Sequence, residues 1–247
     1  PSFLADVAIQ GERICAIGKM PYATATTIIE AEERYLAPGF IDVHTHDDTN
    51  VIRTPAMLPK LTQGITTVVV GNCGISASPV TLDADVPDPM NLLGSAEDFR
   101  YPSFADYASA VDIAKPSINV AALVGHTSLR SQVMDSFDRP AESDEIAAME
   151  ALLRQALDEG ALGLSSGLAY RNAIHAPTAE MAPLVAAVGH SGGVYTTHLR
   201  DEFAGLLEAM DEAFATARKG QVPLVISHLK CAGAGNWGGA GKALKRL

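Results

Sequence analysis

Two histidines one residue apart stand at the end of an apolar run and could bind a metal ion. The run is Gly39–His46, directly after Pro38, and it ends in His44, Thr45 and His46. In a β-strand, side chains two positions apart share a face, so both imidazoles would point the same way at the strand end. Neutral imidazole is a good ligand for zinc and related divalent ions. Two histidines at this spacing are often incidental, but the full Pro-Gly-Phe-Ile-Asp context favours a metal site.

Three further side chains of metal-ligand type stand at the ends of later apolar runs. Cys73 follows the valine-rich run Ile65–Gly71, and His198 and His228 each end such a run. If these runs are parallel strands, their carboxyl ends meet on one rim, and residues far apart in sequence converge there. A thiolate and two imidazoles form a common zinc set that leaves a fourth position for water. We therefore expect these three side chains to lie beside the histidine pair.

The remaining histidines and cysteines fit structural or surface roles better. His126 follows the third predicted strand, where it could line the pocket, but it is not expected to bind the metal ion. His175 lies in a predicted loop and His190 at a predicted helix end, so both are expected on the surface. Cys15 is expected to pack in a hairpin, and Cys231 has no metal-ligand spacing of its own.

The elements that must position the ligands alternate between strands and helices. An opening hairpin (Ala5–Ile9 with Arg13–Ile17) and a short strand at Thr26–Glu30 come first. Six apolar runs follow: Gly39–His46, Ile65–Gly71, Ile118–Gly125, Ala161–Gly167, Val194–His198 and Pro223–His228. Such runs, separated by helices, are typical of parallel strands covered on both faces.

Three of the intervening helices can be predicted from apolar periodicity and end signals. They are Ile146–Leu157, with Ser143 as a cap, Thr178–His190 and Asp201–Lys219. The runs recur every ~32 residues. This is close to the spacing in a (β/α)₈ barrel, in which eight units take up about 250 residues. The pattern predicts an α/β fold with about six of the eight units of a TIM-like barrel. Two irregular loops, Ser78–Pro102 and Ala232–Gly241, would follow strand ends, where such barrels place their active sites.

Composition excludes several classes of protein. The formal net charge is −11 and the pI is about 5.0, which argues against a nucleic-acid or anionic-membrane surface. No apolar run approaches the roughly 18 residues of a membrane span. The chain has only three cysteines, and a small, odd number of cysteines does not suit a disulfide framework. A reducing cytoplasm is therefore the default expectation. The first residue is Pro1 rather than Met, so the N-terminus says little about targeting.

Several longer motifs resemble one enzyme family. The hairpin followed by Pro38–His46 resembles the amidohydrolase superfamily, in which a small β-sandwich precedes a metal-bearing (β/α)₈ barrel. Within that superfamily the chain resembles the N-acyl-D-amino-acid deacylases, or D-aminoacylases. The motifs that carry this closer resemblance are Gln63–Gly74, Ser165–Tyr170, Thr197–Glu202 and Ser227–Lys230.

The resemblance implies a zinc centre and a role for each ligand. Cys73, His198 and His228 match the family's tight zinc ligands, and His44 and His46 match a second, weaker site. Cys73 stands where many relatives carry a carboxylated lysine as the bridge between metals.

The resemblance also implies the substrate and the reaction. The substrate would be a small N-acyl-D-amino acid, whose amide bond is cleaved to a carboxylate and a free D-amino acid. Tyr170 and Lys230 match positions that line the substrate site, and Lys230 would contact the free carboxylate. The family's general base is an Asp at the end of the eighth strand, so it is expected beyond residue 247. Residues 1–37 would be part of the sandwich and 38–247 an incomplete barrel.

Three alternatives stay open. A cyclic amidase of the hydantoinase or dihydroorotase kind needs a lysine on the fourth strand, and Ala161–Gly167 contains none. A deaminase is disfavoured by the cysteine ligand and by the lack of a His-Ala-Gly-Glu-like acid motif at the fifth strand. An inactive, truncated barrel that only binds a metal or a partner is the third alternative, because the general base is not in the chain.

The strand count leads to one further expectation. Six βα units leave about two missing from a closed barrel, so the sixth strand is expected at an open edge. We therefore expect the 247 residues on their own to fold poorly, or to associate through that edge, and to be inactive even with zinc.

Overall fold

An antiparallel hairpin opens the chain. The structure, a computed structural model, describes residues 3–32 and 34–247. The chain divides into two units, Pro1–Pro38 and Gly39–Leu247. In the first unit, β1 (Asp6–Gln10) pairs with β2 (Arg13–Gly18) around a turn in which Gly11 has a φ of 61°. This confirms the predicted hairpin.

The predicted strand at Thr26–Glu30 is wrong. The described residues of this segment form no regular element, and Ile28 and Ile29 are exposed. Its short apolar run resembles a strand, but no backbone partner for it lies among the described residues. An isolated extended segment then leaves its N–H and C=O groups to water, so no ladder forms.

In the second unit the strands that carry the site run parallel and follow one another in sequence order. The strands of this unit are β3 (Phe40–Asp42), β4 (Ile65–Val70), β5 (Val80–Thr81), β6 (Arg100–Tyr101), β7 (Asn119–Ala122), β8 (Val124–Gly125), β9 (Gly163–Gly167), β10 (Val194–His198) and β11 (Leu224–Ile226). One sheet has the order β3-β4-β7 and another the order β8-β9-β10-β11, with all pairs parallel. β5 and β6 form a separate antiparallel pair.

Each of the six predicted apolar runs contains a strand; β10 has the predicted bounds, and the other strands are shorter than their runs. The third run is divided at Leu123 into β7 and β8, which pair with different neighbours. The first run forms a strand only over Phe40–Asp42, so His44 and His46 lie beyond it. β11 lies at one end of its sheet.

Helices separate most of the strands. They are α1 (Asn50–Arg53), α2 (Leu58–Leu61), α3 (Phe104–Ala114), α4 (His126–Val133), α5 (Ser143–Asp158), α6 (Thr178–Ser191), α7 (Leu206–Gly220) and α8 (Ala240–Arg246). Among the described residues no helix is both long and apolar enough to cross a membrane. The unit is therefore mixed α/β, as the alternating runs predicted.

Two predicted helix starts need correction. The cap of α5 is Glu142 rather than Ser143, because Glu142 and Glu145 form a reciprocal capping box with each other's backbone N–H groups. α7 begins at Leu206 rather than at Asp201. The Asp201 carboxylate accepts hydrogen bonds from the N–H groups of Phe203 and Gly205, which forms a local turn and delays the helix.

The main core lies where strands and helices meet. Its fully buried members include Val68, Val70, Val124, Leu164, Leu184 and Val188. These residues come from β4, β8, β9 and α6, so packing ties the strands to a covering helix. A rigid core of this kind holds the carboxyl ends of the strands in fixed relative positions.

Candidate metal centre

Five potential metal ligands converge at the carboxyl ends of the strands. The ligand atoms of His44, His46 and Cys73 all lie within 4.8 Å of one another, and so do those of Cys73, His198 and His228. Cys73 belongs to both groups. Its Sγ lies 3.3 Å from Nε2 of His44 and 3.5 Å from Nε2 of His228.

The histidine pair is positioned by the backbone that continues past β3. The N–H of His44 donates to the Asp42 carboxylate at 3.2 Å, and the N–H of Thr45 donates to the carbonyl of Val69 at 3.3 Å. The second bond extends the pairing with β4 beyond the regular strand. The two imidazole rings lie edge to face with centroids 5.5 Å apart. They thus share a face as predicted, although the strand itself ends earlier than predicted.

Cys73 is held in a tight turn after β4. Its φ is 55°, in the left-handed region that non-glycine residues rarely adopt. Gly71 and Gly74, which flank it, also have positive φ, and a Cβ on Gly74 would lie 2.7 Å from the amide nitrogen of Gly167. Only glycine fits that approach.

A buried serine closes this turn. The hydroxyl of Ser165 on β9 accepts a hydrogen bond from the N–H of Gly74 at 2.9 Å and donates to the carbonyl of Gly71. Ser165 is completely buried. The strand next to the turn therefore fixes the backbone on both sides of Cys73.

His198 and His228 come from adjacent strands, one at the end of β10 and one just after β11. Their ring centroids are 4.4 Å apart. The ring of Tyr170 lies 4.8 Å from that of His198, and its hydroxyl is 3.3 Å from Nδ1 of His198. Tyr170 therefore lies at the edge of the cluster, in contact with one of the candidate ligands.

Glu202, which the sequence analysis did not single out, lies between these two histidines and Lys230. Its carboxylate is 3.0 Å from Nδ1 of His228, 3.4 Å from Nε2 of His198 and 2.5 Å from Nζ of Lys230. The side chain of Glu202 is 8% exposed, whereas that of Lys230 is 50% exposed. The only hint in the sequence was that Glu202 follows His198 by four residues. That spacing predicts no contact unless the path of the loop after β10 is known.

Burial in the cluster keeps the imidazoles of His44 and His198 neutral. Burial, followed by the nearby His46 and His228, lowers the pKa of His44 to about 4. Burial also lowers the pKa of His198 to about 4, and the opposing effect of Glu202 is smaller. At neutral pH both rings therefore keep a lone pair that a cation could accept.

The donor set fits a divalent, thiophilic metal ion. Burial raises the pKa of the Cys73 thiol to about 11, so a thiolate there needs a cation to offset its charge. Nδ1 of His46 is buried without a hydrogen-bond partner among the described residues, which is costly unless something else satisfies it. One sulfur and several neutral nitrogens are ligands that zinc accepts.

The other histidines and cysteines lie outside the two ligand groups. His126 is fully buried and pairs with Glu180 at 2.9 Å. His175 and His190 are exposed, as predicted. The prediction that Cys15 packs in the hairpin is wrong: its side chain is exposed, because β2 is exposed along almost all of its length. Cys231 is partly buried.

Comparisons with known protein families and with individual proteins point to the same family. A family model described as "Amidohydrolase family" matches residues 27–244. An N-acyl-D-aspartate deacylase of Alcaligenes xylosoxydans xylosoxydans is 45% identical over 248 residues, which is 100% of this chain and 50% of that protein. The chain spans about half the length of the curated relatives it matches.

Two solved structures superpose closely on the chain. One is a crystal structure of D-aminoacylase, which defines a novel subset of amidohydrolases. It matches with a TM-score of 0.96 and 43% identity over 99% of this chain and 52% of that one. The N-acyl-D-glutamate deacylase of Bordetella bronchiseptica matches with a TM-score of 0.93 and 39% identity over 98% of this chain and 50% of that one. That second structure contains zinc and a phosphonate inhibitor, a mimic of the tetrahedral intermediate.

Proposed function

This chain belongs to the amidohydrolase family, and from that premise we propose that it forms part of a zinc-dependent deacylase of N-acyl-D-amino acids. The products are a carboxylate and a free D-amino acid. The observation that carries the proposal is the pair of ligand groups that share Cys73. The motif-based resemblance to D-aminoacylases, confirmed by relatives that are 41–45% identical, supports this substrate class.

The proposed architecture is a TIM-like (β/α)₈ barrel to which this chain contributes about six units, preceded by part of a small β-sandwich. Residues 1–37 would belong to the sandwich and 38–247 to the barrel. Parallel strands in sequence order, with candidate ligands at their carboxyl ends, support this arrangement, because barrel enzymes place their active sites there.

Cys73, His198 and His228 would hold the tight metal ion, and His44 and His46 a second, weaker one. A bound Zn²⁺ would polarise the scissile carbonyl and lower the pKa of a water molecule toward neutrality. The neutral rings of His44 and His198 supply lone pairs without a competing proton at pH 7. The flanking glycines and Ser165 hold the sulfur of Cys73 in place.

Two further side chains would bind the substrate. Lys230 carries an ammonium at the exposed side of the cluster, where it is able to pair with the free carboxylate of an N-acyl amino acid. Burial raises the pKa of Tyr170 well above its usual value. Its hydroxyl therefore stays protonated at neutral pH and is available to donate a hydrogen bond. The general base is proposed to be an Asp beyond residue 247, which would take a proton from water and return it to the leaving amine.

The leading alternative is a cyclic amidase with a carboxylated lysine between its metals. β9, the fourth strand of the predicted barrel, reads Gly-Leu-Ser-Ser-Gly and has no lysine. Ser165 of this strand instead bonds to the turn that carries Cys73. This favours a thiolate in the position of the bridge, and with it hydrolysis of linear amides.

Assay of the full-length gene product separates these possibilities. Purified protein should hydrolyse N-acetyl-D-amino acids, should spare the L-enantiomers, and should lose activity on chelation and regain it with Zn²⁺. Hydrolysis of hydantoins or dihydroorotate in place of linear amides would favour the cyclic amidase. A protein that binds Zn²⁺ but cleaves none of these substrates would favour the inactive barrel.

A further inference from the structure

The two nitrogens of His228 face different partners. Nε2 points toward Cys73, 3.5 Å from its sulfur, and thus toward the candidate metal ligands. Nδ1 lies 3.0 Å from Oε1 of Glu202 and 3.1 Å from Nζ of Lys230. A carboxylate and an ammonium therefore compete for the same ring nitrogen.

The two partners require opposite tautomers of the neutral ring. A carboxylate only accepts hydrogen bonds, so pairing with Glu202 needs a proton on Nδ1 and leaves the lone pair on Nε2. An ammonium only donates, so pairing with Lys230 needs the lone pair on Nδ1 and places the proton on Nε2. Only the first tautomer allows Nε2 to bind a metal ion beside Cys73.

The position of Glu202 favours the first tautomer. Its second oxygen, Oε2, pairs with Lys230 at 2.5 Å, so the ammonium has a charged partner and does not need the ring. The carboxylate is nearly buried, which strengthens both interactions. The carbonyl of Glu202 also accepts a hydrogen bond from the N–H of Ala232 at 2.7 Å, which ties its loop to the segment after His228.

We propose that Glu202 is a positioning residue for the metal centre: it holds the proton of His228 on Nδ1 and occupies the Lys230 ammonium, which keeps Nε2 free to bind metal. The inference rests on the metal centre of the proposed function and adds to it a residue that selects the tautomer. Without the carboxylate, the ammonium of Lys230 has Nδ1 as its nearest acceptor in this group. The ring of His228 would then carry its proton on Nε2, so that an N–H group rather than a lone pair would face Cys73.

A cycle of variants in the full-length protein tests this mechanism. The variants are Glu202→Gln, Lys230→Met and the double variant, with Glu208→Gln as a control that removes an exposed carboxylate from α7. Zn²⁺ affinity is measured by competition with a chromophoric chelator. The Co²⁺–thiolate charge-transfer band reports whether the metal is bound to Cys73. Thermal unfolding of the metal-free proteins checks that each variant folds.

The expected result is a rescue. Glu202→Gln should weaken Zn²⁺ binding by about 10- to 100-fold, the usual cost of losing a partner of a histidine ligand. Lys230→Met and Glu208→Gln should stay near the wild-type affinity. The double variant should recover most of the loss, because no ammonium remains to draw the lone pair to Nδ1. A purely structural role for Glu202 predicts instead that the double variant binds as poorly as Glu202→Gln.

Two results would overturn the inference in different ways. Wild-type affinity in Glu202→Gln, or no recovery in the double variant, would remove the tautomer mechanism but leave the metal centre intact. A wild-type protein that binds no Zn²⁺ at Cys73 would overturn the proposed function and this inference together.

Discussion

The sulfur of Cys73 lies 3.3 Å from Nε2 of His44, although 29 positions separate the two residues in the chain. Cys73 likewise lies near Nε2 of His228, 155 positions away. Any ion bound by either ligand group would therefore be expected to contact this thiol. This makes Cys73 the most informative single position in the cluster.

Replacing Cys73 with serine should remove the tightly bound zinc and nearly all hydrolytic activity of the full-length protein. A neutral hydroxyl is a poor zinc ligand, whereas a thiolate is charged and soft. Metal content by atomic emission and turnover of an N-acetyl-D-amino acid measure the effect. Cys231→Ser serves as the control, since Cys231 is a partly buried thiol outside both ligand groups. Near-normal zinc and turnover in Cys73→Ser would contradict the assignment.

The conformation of the turn that carries Cys73 should depend on Ser165 but not on the neighbouring Ser166. Ser165→Ala leaves the buried N–H of Gly74 without its acceptor, which should lower the free energy of unfolding by about 1–3 kcal/mol. It should also weaken Zn²⁺ binding, because the backbone on both sides of the thiol is released.

Ser166→Ala is the matched control. Ser166 is equally buried, but its hydroxyl bonds to Tyr195 at 2.7 Å and to Thr197 at 2.8 Å. We expect a similar loss of stability with little change in Zn²⁺ affinity. Equal Zn²⁺ affinities in the two variants would mean that Ser165 contributes only to stability.

The positions of the candidate ligands were predictable because they follow from a rule about strand ends. His198 and His228 each close an apolar run, and parallel strands bring such ends to one rim whatever the sequence distance between them. The structure brings these side chains together. That they bind a metal ion stays a prediction.

Glu202 could not be predicted in the same way. Its contact with His228 joins residues 26 positions apart and depends on the path of the loop after β10. In a sequence, a glutamate in a loop is more often a solvated charge.

Helix α4 was not predicted for a related reason. It is polar, yet five of its eight residues are buried, because residues such as Ser128 and Arg130 bond to other buried groups rather than to water.

Lys230→Met should lower kcat/KM on N-acyl-D-amino acids by about one to two orders of magnitude, through loss of a charge-assisted contact worth ~1.5–3 kcal/mol. Zinc content should not change, because Lys230 contacts Glu202 and Nδ1 of His228 rather than a ligand atom that faces Cys73. Lys219→Met, on the exposed surface of α7, is the control. An unchanged kcat/KM in Lys230→Met would show that the substrate carboxylate is bound elsewhere.

The last prediction concerns a buried charge cluster apart from the ligand groups. Glu180, Arg130 and His126 are all completely buried. Glu180 contacts Arg130 at 2.5 Å and His126 at 2.9 Å, and it accepts the N–H of Ala141 at 2.9 Å. Glu180→Gln should lower the free energy of unfolding by about 3–5 kcal/mol, because Arg130 is left buried without its counter-charge. The double variant Arg130→Met/Glu180→Gln removes both charges and should recover part of that loss.

The same cluster should make the stability of the metal-free protein depend on acid. Burial alone would raise the pKa of Glu180, but its hydrogen bond with His126 and the charges nearby outweigh burial and lower the pKa from 4.5 to about 2. A carboxyl whose pKa is lowered by folding stabilises the protein fully above its unfolded pKa, and that contribution is lost as the pH falls toward the folded pKa. The gap in unfolding free energy between wild type and Glu180→Gln should therefore be constant above about pH 5 and shrink below it. Urea unfolding at several pH values from neutral to about 3 measures this gap, and a gap that stays constant or widens in acid would show that Glu180 does not carry a charge in the folded protein.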